Sequence, residues 1–434
     1  MCGKVLLRKV LFYQPKNATI KPSMAEQFPV MTFPKDAFIT VEEGNKIAEH
    51  FFIIREGKVR RSKAVPITIN ADNVILGPGD FFGVVSTMSG HKYIDTIQAV
   101  TDVTLITVHR NQFGQLIQNN TPVAIKILIH FSRRMRSLNE TLAVLTFNKN
   151  TSADTGNLDA GHLFNVAEYY TKQGQYNLAY YTYNQYIKLC PSGENVQTAQ
   201  EHKKKITPNV KIDRLGFRTH DQLSRTYHKD TMIFAEGEPG EEIFIIKSGS
   251  VKIAKVTKDK EVLLAVLRTG DIFGEMALLE SKPRGANAIA YEDCEIMAVN
   301  RTNFDHMIKT QPQLIARLTT MLAERIWLTH KQLANTRIND SLGRIYDMLF
   351  VQLEKKHINP DDDRSYTFDF STKELIDMAG LSQNDGNLAI QKLLQNRFVD
   401  LVQGRLCITD VPRFSKQTTS YLKNLETEKG RKEH

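Results

Sequence analysis

Residues 270–288 read GDIFGEMALLESKPRGANA, a stretch whose residue types and spacing suit the capture of an anionic phosphodiester ring. Such a ring is best held by backbone N–H groups at the start of a helical turn, a glycine that permits close approach, and an arginine that gives paired, charge-assisted hydrogen bonds. Gly274 supplies the approach, Met276 to Leu279 the turn and Arg284 the guanidinium, while Glu275 is placed to accept a ribose hydroxyl proton. Gly274, Glu275, Met276, Ala277, Arg284, Gly285 and Ala286 are therefore the candidate ligand-binding residues of this segment. A lone Glu–Arg pair is more often a surface ion pair, but Phe-Gly before it, Ala-Leu within it and Pro283 ahead of the arginine argue for a built site. Other chemistry is not indicated. There is no Walker loop, HExxH or nucleophile elbow, the 12 His are dispersed, and Cys2, Cys190, Cys294 and Cys407 lack metal or redox spacing. No catalytic residue and no metal ligand is nominated, an enzyme is not expected, and the thiols are expected to be reduced and mostly buried.

The elements that must position this segment occur twice. Residues 80–110 align without a gap on 271–301, so that Asp80, Phe82, Gly83, Ala99, Asp102, Val108 and Arg110 meet Asp271, Phe273, Gly274, Ala290, Asp293, Val299 and Arg301. Upstream, Phe52-Ile53-Ile54 and Gly57 match Phe244-Ile245-Ile246 and Gly249. Each copy is a run of short β-branched and apolar segments broken by Gly, Pro, Asp and Asn, the pattern of a small antiparallel β-roll. Both copies end in a helical pattern, Pro122–Leu142 and Pro312–Leu333. In the second, Leu314, Leu318, Met321 and Leu328 suggest a narrow apolar seam interrupted by Arg325.

Between the copies, polar NKNTSADTGN reads as a linker. Ala167, Gly174, Tyr176, Ala179, Tyr183 and Pro191 then fall at the small and aromatic positions of one tetratricopeptide-like (TPR-like) repeat, and a third helix follows near Glu201–Ile206. A single repeat cannot bury its faces alone, so it is expected either to pack on a neighbour as a spacer or to dock a protein partner. After the second long helix comes a further helix, acidic Asp361-Asp362-Asp363, two helices meeting at Ala379-Gly380-Leu381 with Ser382 able to cap the second, and a hairpin around Gly404. This is the layout of a winged helix-turn-helix. The expected fold is α+β and multidomain: a β-roll domain over 20–150, a TPR-like segment over 157–206, a second β-roll with its long helix over 215–338, and a winged-helix-like domain over 339–420.

The segment at 270–288 resembles the phosphate-binding cassette of cyclic-nucleotide-binding domains, whose pattern is FGE-x-AL followed by PR-x-A. By that resemblance Glu275 binds the 2′-hydroxyl and Arg284 the cyclic phosphate. Gly285 stands where cyclic-GMP binders tend to carry a hydroxyl, which makes cyclic AMP the expected ligand. The likeness continues through RLTTMLAERIWLTHKQLANTRINDSLGRI, which is similar to the dimer helix and hinge of bacterial cyclic AMP receptor protein (Crp/Fnr-type) transcription regulators. Thr329 takes the place of the adenine-contacting threonine, whereas His330 replaces the smaller polar residue after it. In the first copy Val84, Tyr93 and Leu138 stand opposite Glu275, Arg284 and Thr329, so no conventional ligand is expected there, although His91 and Lys92 leave room for another anion.

The resemblance implies a helix that reads the major groove, and here that helix begins Ser382-Gln383-Asn384-Asp385-Gly386-Asn387. Ser382, Gln383, Asn384, Asn387 and Lys392 are the DNA-contact candidates, with Gly386 expected to weaken the helix. Of the net charge of +9, +8 lies in residues 1–150, and residues 341–434 carry 14 Lys/Arg against 14 Asp/Glu. A neutral domain starts poorly on DNA. The expected function is a cyclic-AMP-responsive transcription regulator; the alternative is a signalling adaptor that acts on a protein partner. A homodimer paired through the second long helix is expected, because Arg133, Arg134 and Arg136 crowd the first. The longest apolar runs are too short for a membrane span and the first residues do not read as a signal peptide, so no membrane partner and a cytoplasmic location are expected.

Overall fold

The computed structural model describes residues 28–432 except 45, 64–73, 148–160, 217, 220–222, 258–259 and 362–364. Cys2, the start of the first domain, the polar linker and Asp362 and Asp363 lie outside the described residues. The chain divides into two units, Met1–Ser137 with Ala153–Ile326 and Leu138–Ser152 with Trp327–His434.

The first unit holds both β-rolls, each of two antiparallel sheets. In the first copy one sheet runs in the order Val30–Phe33, Val103–His109, His50–Glu56, Phe81–Phe82, and the other Phe38–Thr40, Thr96–Ala99, Val59–Ser62, Val74–Leu76. In the second copy the corresponding orders are Ile272–Phe273, Glu242–Ser248, Cys294–Asn300, Ser224–Tyr227, Arg218–Thr219, and Met232–Phe234, Asn287–Ala290, Ser250–Thr257, Lys260–Arg268. The repeat extends to side-chain detail. Phe52 stacks on Phe82 with centroids 5.1 Å apart, and Phe244 stacks on Phe273 at 5.2 Å. Asp80 and Asp271 each accept a backbone N–H three residues earlier, from Gly77 and Arg268. A Cβ built on Gly57 or Gly249 would lie 2.2 Å from the carbonyl oxygen of Asp102 or Asp293, so the same close approach demands glycine in both copies.

The inserted region forms helices His162–Lys172, Tyr176–Leu189 and Val196–Ile206. Leu163, Val166, Ala167, Tyr170, Ala179 and Tyr183 share one core with Met232, Ala235, Val256 and Ile289 of the second roll. The helices thus bury their apolar faces on that roll, as a spacer would. Tyr170 Oη donates to Glu261 (2.9 Å) and Tyr181 Oη to Glu238 (3.2 Å), which fixes the register of the contact.

Two long helices, Thr121–Phe147 and Pro312–Asn335, run from the first unit into the second. On the second, the stripe buried within the chain shares Leu318 with the expected seam. Ile315, Leu318, Leu322 and Ile326 are buried, whereas Leu314, Met321 and Leu328 are only half-buried. Spacings of three and four keep to the 3.6-residue period of a straight helix, so the buried stripe lies to one side of the strict seam. Of the three arginines expected to crowd the first long helix, two are paired within the chain. Arg134 pairs with Asp95 at 3.3 Å and Arg136 with Glu280 at 3.2 Å.

In the second unit, helix Ser341–Lys355 is capped by Asp340, whose carboxylate accepts the Gly343 N–H at 2.6 Å. Strand Tyr366–Ser371 leads into helix Thr372–Met378 through a capping box of Ser371 and Glu374. Helix Gln383–Leu393 follows, with Ser382 Oγ accepting the Asp385 N–H at 3.1 Å. Hairpin Val399–Val402 and Arg405–Ile408 completes a three-stranded sheet, its turn made by Gln403 and Gly404 at φ 52° and 76°. Helix Val411–Lys432 closes the unit. Gly386 is a structural necessity here, not a weakness: it is buried, and a Cβ on it would come 2.4 Å from Ile376 Cγ2. Trp327 is likewise buried. Cys190, Cys294 and Cys407 are buried thiols. Among the described residues no helix is long and apolar enough to cross a membrane, and no cluster of His, Cys, Asp or Glu could hold a metal ion.

Candidate functional site

Strand Ile272–Phe273 ends at Gly274, whose φ of 78° turns the chain sharply into helix Glu275–Glu280. Only glycine takes this left-handed conformation without strain. The helix stops at Ser281, and the chain returns through Pro283 and Arg284 into strand Asn287–Ala290. Glu275, Ala277, Arg284 and Ala286 are buried.

The structure brings Arg284 back onto Gly274, the residue before Glu275. Arg284 Nη1 donates to the carbonyl oxygens of Gly274 (2.7 Å) and Glu242 (3.0 Å), and its guanidinium lies 4.2 Å from the centroid of the Phe234 ring. Nε is buried without a hydrogen-bond partner. Burial draws the Arg284 pKa down to about 10, against the pull of Glu238, Glu242 and Glu275, so the group remains a cation at neutral pH. Glu275 meets Arg325 Nη1 at 3.4 Å, and Arg325 Nη2 also donates to the Ile272 carbonyl. Arg325, which interrupts the expected seam, thus touches the candidate residue Glu275. Met276 is half-buried on the cassette helix, and Thr329 is buried farther along the long helix, in the second unit.

Sequence reasoning missed two further residues. Lys255 Nζ donates to the Gly285 carbonyl (3.2 Å) and pairs with buried Glu236 at 2.6 Å. Burial works to raise the Glu236 pKa, but Lys255 and His162 outweigh it and hold the carboxyl below its ordinary value. Gly240 is the second: a Cβ there would sit 2.5 Å from Arg284 Nε and 2.7 Å from the Ala277 Cβ. The repeat carried a signal for Lys255, because Lys63 of the first copy donates in the same way to the Ile94 carbonyl at 2.7 Å.

The first copy shows how the site was closed. Tyr93 Oη donates at 2.6 Å to the carbonyl of His50, the counterpart of Glu242, so a neutral hydroxyl takes the partner that Arg284 has in the second copy. Asp95 pairs there with Lys63 (3.2 Å) and Arg134 (3.3 Å). Burial, reinforced by Arg134, Arg61 and Arg133, takes the His130 pKa down to about 4 and leaves the ring neutral. The space remaining among Gly83, Tyr93, Asp95, His130 and Arg134 is about 20 Å³, room for about one water. His91, a candidate for another anion, is buried.

A cavity of about 770 Å³ reaches Arg284 from the side of Tyr181 and Glu238, but Glu275, Gly285 and Ala286 do not line it. It is therefore distinct from the cassette face. Burial raises the Glu238 carboxyl to about 7.

On helix Gln383–Leu393, Ser382, Gln383, Asn384, Asn387, Leu388 and Lys392 are exposed. Gln383 Nε2 donates to Asp377 at 3.0 Å and Ser382 is occupied as the cap, which leaves Asn384, Asn387 and Lys392 as the outward polar groups among the candidates.

The sequence matches the cyclic nucleotide-binding domain family over residues 30–120 and again over 224–311. It is 27% identical over 186 residues to the CRP-like cAMP-activated global transcriptional regulator of Mycobacterium tuberculosis, a match spanning 43% of this chain and 83% of that protein. With the cAMP-activated global transcriptional regulator CRP of Salmonella typhimurium it shares 31% identity over 135 residues, 31% of this chain and 64% of that protein. The solved catabolite activator protein of Thermus thermophilus is similar at 25% identity and a TM-score of 0.25, covering 47% of this chain and 91% of that one. Two tandem segments of the chain thus match the cyclic nucleotide-binding domain family, and the chain is similar in sequence to transcription regulators of the cyclic AMP receptor protein type.

Proposed function

We propose that this chain is a cyclic-AMP-responsive transcription regulator that takes one ligand per chain, in its second domain. The observation that carries this reading is the contrast between the copies: Glu275 and Arg284 flank Gly274 in one, while Val84 and Tyr93 stand in those places in the other. Arg284 would meet the cyclic phosphate and Glu275 the ribose hydroxyl. Cyclic AMP is the favoured ligand because Gly285 offers guanine no hydroxyl and because the relatives are named as cAMP-activated. Asn384, Asn387 and Lys392 would face DNA from a winged helix-turn-helix, Asn to adenine edges and Lys to phosphate or guanine. Ligand can switch such a chain only through its differential affinity for two states.

Calorimetry with cyclic AMP should return one site, lost in Arg284→Ala and kept in Tyr93→Ala. Two equivalent sites would remove the reading. A gel shift or genome-wide pull-down with and without cyclic AMP then tests the regulator against its rival. That rival, a signalling adaptor acting on a protein, is favoured by the balance of 14 basic and 14 acidic residues in the last 94 positions, and is the correct reading if the ligand binds but no DNA is retained.

A further inference from the structure

The first domain has lost the ligand residues yet keeps a firm grip on the second domain's cassette. Arg136, on the first long helix, directs Nε at both carboxylate oxygens of Glu280, at 3.3 and 3.2 Å. Glu280 is the last residue of the cassette helix, and Ser132 Oγ donates to the same carboxylate at 2.7 Å. The side chains of Arg136 and Glu280 are 11% and 1% exposed, so the pair is largely removed from water and its geometry is strongly held. Arg136 Nη2 reaches farther, donating to the Pro283 carbonyl at 3.2 Å. Its Nη1 lies 2.9 Å from the position a Cβ would take on Gly285. One guanidinium therefore spans the end of the cassette helix and the two residues that bracket Arg284.

This gives Gly285 a second meaning. The residue is bare where a hydroxyl could stand, and the space that a side chain would claim is used by Arg136 of the same chain. Fork geometry matters here: a lysine could neutralise Glu280 but could not also brace Pro283.

We propose that the first domain completes the second domain's ligand site in cis, with Arg136 as the positioning residue and Ser132 as its support. The ionic brace fixes the segment Pro283–Gly285, and with it the backbone from which Arg284 projects toward a cyclic phosphate. The ligand-binding unit is then a single chain. The inference rests on the reading that a cyclic nucleotide binds at Glu275 and Arg284.

The test is calorimetric titration of the full chain with cyclic AMP, alongside thermal unfolding of each variant. Arg136→Ala and Glu280→Gln should each weaken binding about tenfold, the order expected when one charged hydrogen bond that orients the site is lost. The double variant should be no weaker than the worse single, and the swap of Arg136→Glu with Glu280→Arg should regain part of the affinity. Gly285→Ser should push Nη1 aside and weaken binding in the wild type, yet have little further effect beside Arg136→Ala. Arg136→Lys, which preserves the charge, should bind with intermediate affinity and serves if the alanine variant does not fold. Undiminished affinity in a folded Arg136→Ala or Arg136→Lys protein overturns the inference alone. Absence of binding by the wild type removes the functional reading and the inference together.

Discussion

Replacing Gly386 by alanine sets two effects of known size against each other. In a helix interior alanine is favoured over glycine by about 1 kcal/mol. Against this, the new Cβ would lie 2.4, 2.6 and 2.9 Å from Cγ2, Cγ1 and Cδ1 of Ile376, a side chain that is 1% exposed and so has no free space to enter. Overpacking of this kind costs about 1–3 kcal/mol. The net expectation for Gly386→Ala is a loss of roughly 1 kcal/mol. Ile376→Ala removes all three crowding atoms, at a cavity cost of its own of about 2–5 kcal/mol. In that background Gly386→Ala should reverse sign and stabilise by about 1 kcal/mol. Urea unfolding followed by far-UV circular dichroism on the four members of the cycle gives the coupling directly. If Gly386→Ala stabilises the wild type as much as it does the Ile376→Ala protein, close packing of the two helices is not the reason for the glycine, and the reasoning fails.

Gly240→Ala should displace Arg284 and weaken cyclic AMP binding by about 10- to 100-fold while the fold survives, as compared by calorimetry and circular dichroism. Asp95→Ala leaves Lys63 and Arg134 without their shared carboxylate in a largely buried setting, and should destabilise the first domain by roughly 3–5 kcal/mol in denaturant unfolding. Glu238, raised to about 7 from an ordinary 4.5, holds a proton in the folded chain that the unfolded chain releases between those values. Wild-type stability should therefore fall as pH rises from 4.5 to 7 and level off above. Glu238→Gln should lose that slope and exceed wild type above neutrality by at most roughly 3 kcal/mol; an unchanged slope in the variant would assign it to another group.

Much of the fold could be read in advance because duplicated physics leaves duplicated residues. Asp80 and Asp271, Gly57 and Gly249, and the paired Phe stacks sit at matching turns, so one copy calibrated the other. Ser382 was legible as a cap because capping is local, and the meeting of Arg284 with Gly274 was legible because the segment is contiguous. What escaped depends on distance in the chain. Arg136 and Glu280 are 144 residues apart, and their pairing turned an apparent excess of positive charge into a contact. Gly386 was misjudged because helix propensity ignores the neighbouring helix. Arg325 stood out only as a blemish in an apolar stripe; its role needed Glu275 in view.

Tyr93 on the His50 carbonyl has a consequence for the shape of any dose–response curve. Two matched receptors on one chain can make the first occupancy favour the second, giving a sigmoid and a narrow threshold. On the proposal that only the second copy takes ligand, a single chain has nothing to cooperate with, and its saturation follows a simple hyperbola that takes about an 80-fold rise in ligand to pass from one-tenth to nine-tenths full. Such a chain grades its output over a broad concentration range, and any steeper response has to arise between chains.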